Sequence, residues 1–492
     1  SKMLRKLFPL ILAACMVGCT MEESFDAYEL SIPELQAAME SGATTSEQLV
    51  RQYLERIEAF DAAGPQLNAM LYMNPRAAEQ AAALDRERAV VGSRGPLHGI
   101  PIVLKDNYNT HDMPTTAASV AMAGFLPPDD AYAVRKLREA GAVIIGKTNL
   151  HEFARGIETV SSLGGYTRNP YDPGRNPGGS SGGTAAAIAA NFAAVGTGSD
   201  TCGSIRIPAA NNNLFGLRVT QGLDNTDGVI PLSHTQDVSG PLARSMVDLV
   251  TVLDVMIDGQ DFGGQLDAAA LTNARLGLLV DFMETADPYG EISQVVRGAA
   301  EQMARHGATL VEIRIEGLAE LLSNSSVIDY EFTTDIARYL DHAGAPIKSI
   351  EEVLASGQYH EALEGRYRRS VARADDKDEY EARLARRDVI RQLLIETLDE
   401  YELDALVYPT MRIKPAPIGE SQTGSMCRVS AHSGLPAISL PAGFTDDGIP
   451  VGIELLARPG ADRQLVALGF AWEQAANPRR PPPTTPSLVT SR

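Results

Sequence analysis

Apolar positions fall into two textures along the chain. Near the start they recur at helical spacing: Leu49, Val50, Tyr53, Leu54 and Ile57 fall on one face of a helix. Capping boxes mark where two helices begin, Ser31 with Glu34 and Thr44 with Glu47, in which each side chain satisfies a backbone donor of the first turn. Gly64 and Pro65 are expected to stop the second helix. After Pro96 the texture changes to short β-branched runs between helical stretches: Ile100 to Leu104, Ala142 to Ile145, Leu310 to Ile315, Ala405 to Tyr408, Ala437 to Leu440 and Val451 to Leu456. Strands interleaved with helices imply a largely parallel, buried sheet, so the expected class is α/β. The charged helices between Glu351 and Glu400 are read as an outer layer or a cap on the substrate side, and the segment from Leu318 to Glu400 as shaping a pocket.

The first residues follow neither texture. Lys2, Arg5 and Lys6 precede an apolar run from Leu7 to Val17 that is too short to span a bilayer, the pattern of a signal peptide. It ends in LAAC at Cys15 and MVGC at Cys19, each resembling a bacterial lipobox. Cys15 has the better residue three places upstream, whereas Cys19 leaves the more usual signal length and is preferred as the lipidated residue. The expected organisation is a signal at 1–18, a tether at 19–30, one large domain at 31–480 and a flexible Pro-rich tail at 481–492. The expected location is the bacterial cell envelope, on the periplasmic face, with membrane attachment only through the lipid.

Composition narrows the function. Of 492 residues 43 are Lys or Arg and 63 are Asp or Glu, a net charge of -20 that works against nucleic-acid binding. Beyond the lipobox two cysteines remain, Cys202 and Cys427, and the sequence leaves their pairing open. No His, Cys and carboxylate cluster has metal-ligand spacing, so neither metal nor organic cofactor is expected.

Candidate chemistry sits in GRNPGGSSGG, Gly174 to Gly183. An Ala-rich helix former follows it directly, which argues against a linker and for a loop whose backbone approaches a ligand. Gly178 to Gly182 matches the G-x-S-x-G elbow, with Ser180 as nucleophile and Asp404 and His432 as candidate partners, but no histidine lies in a supporting motif. Gly141 to Thr148 fits the P-loop pattern letter by letter, yet Ala-Val-Ile-Ile between its glycines is a strand and not a phosphate cradle.

Taken in order, GIPIVLKDN around Lys105, GGSSGGT around Ser180, DTCGSIRIPA around Ser204 and GPLARS from Gly240 resemble the amidase signature family over about Ile32 to Gln474. GPLHGIPIVLKDN, GAVIIGKTNLHEFA and GIPVGIELL are similar to its bacterial peptide-amidase branch. The resemblance implies one α/β domain with a large mixed, mostly parallel sheet covered by helices on both faces. It also implies carboxamide hydrolysis through an acyl-enzyme on Ser204, with Ser180 relaying the proton to a neutral Lys105. Ser-Lys pairs are a known alternative to Ser-His. A free lysine titrates near 10.4, so work near pH 7.5 asks for a depression of about three units, which burial beside the IPIVL strand would supply.

The backbone amides of Cys202, Gly203 and Ser204, with Thr201, are the expected oxyanion donors. Asp200, Arg206 and Ser181 are read as supports. Two departures from the family stand out: Cys202 replaces the first of two usual glycines, and GLRVT at Gly216 to Thr220 lacks the usual Lys-Pro pair, a change assigned to packing. The substrate would be a peptide amide or a small aryl or alkyl amide. The same triad would serve a urethane or ester, and the same fold serves in amidotransferase complexes, for which an exported chain is ill placed.

Overall fold

The structure, a computed structural model, describes residues 24–489; the signal segment with Cys15 and Cys19 lies outside them. Thirteen strands occur in chain order: β1 Met70–Met73, β2 Pro101–Lys105, β3 Val143–Thr148, β4 Val160–Ser161, β5 Gly165–Tyr166, β6 Val195–Asp200, β7 Phe215–Arg218, β8 Val238–Ala243, β9 Arg275–Leu279, β10 Thr309–Ile313, β11 Ala405–Pro409, β12 Ala437–Phe444 and β13 Pro450–Leu456. Eleven of them form one sheet in the order β1-β3-β2-β6-β8-β7-β12-β13-β11-β9-β10, and β4 and β5 make a separate hairpin. The sheet is mixed: β3, β2 and β6 run parallel at one side and β11, β9 and β10 at the other. The strands between these groups pair antiparallel. Helices cover both faces, as the expected class requires.

The six runs with strand texture all lie in the sheet. Five further sheet strands, β1, β6, β7, β8 and β9, lack that texture. β6 reads Val-Gly-Thr-Gly-Ser-Asp and carries no apolar alternation, because its neighbours demand small residues: a Cβ on Gly196 would come within 2.6 Å of Thr184 and 2.8 Å of Val103. The Ala-rich stretch forms the helix Gly182–Ala189, every residue of it buried. Alanine allows it to pack closely on β6 and β2, where larger side chains would not fit.

Several local expectations shift. The second helix, Ser46–Phe60, is capped by Thr45 and Gln48 instead of Thr44 and Glu47: Gln48 N donates to Thr45 Oγ1 at 3.1 Å and Thr45 N to Gln48 Oε1 at 3.2 Å. It stops at Phe60, ahead of Gly64, and the Asp61 carboxylate turns the chain by accepting from Ala69 N at 2.6 Å.

The segments expected to be a tether and a flexible tail are packed where they are described. Ala27 is fully buried, and Glu29 pairs with Arg479 at 2.9 Å. Arg56 donates to the carbonyls of Thr485 and Pro486 at 2.8 and 2.9 Å, so residues 481–489 lie against the body. Buried guanidinium donors need acceptors, and these carbonyls supply them. Among the described residues no helix is long and apolar enough to cross a membrane.

Candidate active site

The carboxyl ends of the parallel strands β2 and β6 bring the motif residues together. Lys105 ends β2 and is completely buried. Its Nζ donates to Ser180 Oγ at 2.7 Å, Ser181 Oγ at 2.8 Å and Ser199 Oγ at 2.8 Å, with Ser199 O at 3.4 Å. Burial is the largest influence on this amine and lowers it to about 7, against the opposing pull of Asp200 and Asp237. Asp106, next in sequence, does not neutralise Lys105; it pairs with Lys147 of β3 at 3.1 Å. Ser181, expected to orient Ser180, holds Lys105 instead and donates to Ser199 O at 3.1 Å.

After β6 the chain turns through 201–204 before the short helix Arg206–Asn211. The carbonyls of Thr201, Cys202 and Gly203 are all engaged: Gln236 Nε2 donates to Thr201 O at 3.0 Å, Arg206 to Cys202 O, and Ile207 N to Gly203 O at 2.7 Å. Among the described residues the N–H groups of Cys202, Gly203 and Ser204 donate to no protein acceptor. Three successive unspent amides form a concavity suited to an anion. Thr201 turns its hydroxyl to Asp237 at 2.6 Å.

Asp200 organises this turn. It accepts from Ile205 N at 3.1 Å and Arg206 N at 3.3 Å, and pairs with Arg206 at 3.1 Å and Arg218 at 3.0 Å, all fully buried. Burial pushes its carboxyl up, but the two guanidiniums outweigh that and hold it below the usual range. The change at Gly216 to Thr220 is therefore more than packing, because Arg218 supplies one of the charges that fix Asp200. Cys202 and Cys427 form a disulfide with Cα atoms 5.1 Å apart, which answers the open pairing and means that Cys202 is no free thiol. Gly203 has no alternative here: a Cβ would meet Cys427 Cβ at 2.6 Å and Ile207 Cδ1 at 2.8 Å.

Ser204 lines a cleft of about 900 Å³ together with Cys202 and Cys427. Among the described residues no hydrogen bond joins its Oγ to Ser180; such contacts tighten when substrate fills a site. The two decoys come apart. His432 bonds Ser325 Oγ at 2.6 Å, while Asp404 accepts from Arg275 N at 2.7 Å and Gln464 at 2.9 Å, so neither serves Ser180. Gly141 to Thr148 runs into β3, all of which is buried. Two groups of side chains have ligand atoms close enough to share a metal ion, His111 with Asp112 and Asp130, and His234 with Glu331 and Asp335; each gathers residues distant in sequence, which spacing could not show.

Known proteins carry the same architecture. A family model described as "Amidase" matches residues 48–466. The chain belongs to the amidase signature family. Among solved structures, the peptide amidase of Stenotrophomonas maltophilia is 37% identical with a TM-score of 0.85, covering 92% of this chain and 98% of that one. An amidase family protein of Bacillus anthracis is 29% identical with a TM-score of 0.83 and 92% of each chain covered. Among curated relatives, a glutamyl-tRNA(Gln) amidotransferase subunit of Synechococcus sp. is 33% identical over 485 residues, 92% of this chain and 98% of that protein.

As a member of the amidase signature family the protein is an amide-hydrolysing enzyme. Motif reading missed Ser199, Arg218 and Asp237 at this amidase site. A buried cation such as Arg218 needs a buried anion, and an Asp ending a strand at Asp200 was the one sequence signal that could have paired them.

Proposed function

We propose that this amidase hydrolyses carboxamides of the peptide-amide type, with Ser204 as nucleophile, Ser180 as proton relay and Lys105 as base. One observation carries the reading: a buried Lys105, its amine lowered to about 7, lies 2.7 Å from Ser180 Oγ, one loop away from a serine that opens on the cleft. Ser204 Oγ adds to the amide carbonyl while its proton passes to Ser180, whose own proton moves to Lys105. The carbonyl oxygen becomes an oxyanion beside the amides of Cys202, Gly203 and Ser204, each such donor contributing about 3 kcal/mol. The proton returns along the relay to the leaving nitrogen, the C–N bond breaks, and an ester on Ser204 remains. Water then attacks that ester, giving up a proton by the same route, and the acid is released.

Peptide-amide substrates are supported by the likeness to the Stenotrophomonas maltophilia enzyme over nearly its whole length. Export with a lipid on Cys19 is part of the same proposal. Its support is the Lys- and Arg-led apolar start and the Cys202–Cys427 disulfide, since structural disulfides belong to oxidising compartments. The amidotransferase reading draws on the curated relatives, whose printed role is in transfer to tRNA, and the disulfide weighs against it.

The test offers the enzyme a C-terminally amidated peptide, the same peptide as free acid, an anilide and an aryl urethane, with products followed by mass spectrometry. Release of ammonia from the amidated peptide, with its internal bonds intact, is the expected result. Cleavage of the anilide or urethane alone would remove the peptide-amide assignment.

A further inference from the structure

The cleft on which Ser204 opens is lined by guanidiniums. Asp329 is shared by three of them, pairing with Arg155 at 2.8 Å, Arg369 at 2.8 Å and Arg373 at 2.9 Å. Arg366 reaches Glu158 only at 4.0 Å and otherwise meets His151, whose imidazole burial holds well below its ordinary value and so neutral. On the facing side Arg412 pairs with Glu284, and Arg383 divides Glu379 with Arg386. Arg428 has no carboxylate partner among the described residues; it donates to Leu322 O at 2.8 Å. Seven arginines therefore face the cleft against four pairing carboxylates, leaving at least three positive charges uncompensated.

This is unexpected in a chain of net charge -20. Crowding like charges at a half-buried surface is costly unless an anion relieves it, and burial together with the charge of Arg383 already holds Arg428 below its ordinary value. Arginine is the side chain whose planar fork matches a carboxylate with two parallel hydrogen bonds. A peptide amide loses only ammonia, so everything the cleft holds beyond the reacting carbonyl belongs to the acyl part of the substrate. A volume of about 900 Å³ accommodates several residues of it.

We infer that the enzyme selects amides whose acyl portion carries carboxylates, in the form of acidic peptide amides read by Arg428, Arg412, Arg383 and the Asp329-linked cluster. The inference rests on the peptide-amide reading above and specifies its substrate. It also makes the cleft an electrostatic funnel, drawing acidic peptides in and turning basic ones away.

The experiment compares acetyl-Glu-Glu-Leu amide, acetyl-Gln-Gln-Leu amide and acetyl-Lys-Lys-Leu amide on the full chain, reading ammonia release as kcat/KM. At an ionic strength of about 0.01 M the glutamate substrate is expected to exceed the glutamine one about tenfold or more and the lysine one further, the ratios shrinking at about 1 M where the screening length is about 3 Å. Arg428→Gln and Arg412→Gln, each checked for an unaltered melting transition, should reduce the glutamate-to-glutamine ratio several-fold. Equal turnover of the three, a preference for lysine, or ratios untouched by both variants would overturn the acidic-substrate inference while leaving the amidase reading standing. Absence of ammonia from all three would bring down the peptide-amide reading itself.

Discussion

Lys105 is buried to the point where its charge, and not its reach, decides what it does. With the amine lowered to about 7, the neutral base is the minor form below that pH and the major form above it. Activity is accordingly expected to climb as pH rises through about 7, with kcat/KM following the free enzyme. Lys105→Ala should lower kcat by about a thousandfold with a far smaller change in KM, and Lys105→Arg should do no better, because a guanidinium stays protonated. Stability follows the same group: between about 7 and the free-lysine value the unfolded chain holds a proton the folded one lacks, so this contribution to stability rises with pH. Lys105, Ser180 and Ser204 were legible because each sits in a local motif. Ser199, Arg218 and Asp237 were not, because they come to Lys105 and Asp200 from neighbouring strands and a distant loop, and strand pairing leaves no trace in the local sequence.

The element that matters most is the turn from Asp200 to Ile207, held at one end by two guanidiniums and in the middle by a disulfide spanning 225 residues. Constraining so long a loop stabilises a fold by about 4 kcal/mol. Reduction, or Cys202→Ser with Cys427→Ser, should therefore lower the melting temperature, and kcat should fall as the turn loses the tie that presents its amides. Reduction that left both unchanged would show the disulfide to be incidental to the turn. The sheet itself was legible in part. β2, β3, β11 and β13 are buried along their full length and read as apolar runs, whereas β6 and β8 at the site are built from Gly, Ser and Pro among apolar residues and read as loop. A Cβ on Gly198 would press on Leu242 at 2.6 Å and on Ser181 Oγ at 2.8 Å, so room for the catalytic loop was obtained at the expense of a recognisable strand.

At the scale of the molecule the two ends of the described chain close on each other. Glu29, Arg479, Arg56 and the carbonyls of Thr485 and Pro486 form one buried junction. Burial pushes the Glu29 carboxyl up, but Arg479 and Arg244 outweigh it and hold it at about 2, so its contribution is present above the usual carboxylate range and lost as pH falls through about 2. Truncation after Asn477 removes Arg479 and the acceptors of Arg56, and is expected to lower the melting temperature by on the order of 3 °C, measured by calorimetry at neutral pH. Composition could not reveal this junction, since a Pro-rich end without apolar pattern reads as free chain. The central claim, that Ser204 and not Ser180 is the nucleophile and that neutral Lys105 activates it, is tested most directly by labelling the enzyme with a fluorophosphonate and locating the adduct by peptide mass mapping across a pH series. The account predicts a single adduct on Ser204, forming faster as pH rises through about 7 and lost in Lys105→Ala. An adduct on Ser180, or labelling of Ser204 that ignores both pH and Lys105, would contradict it.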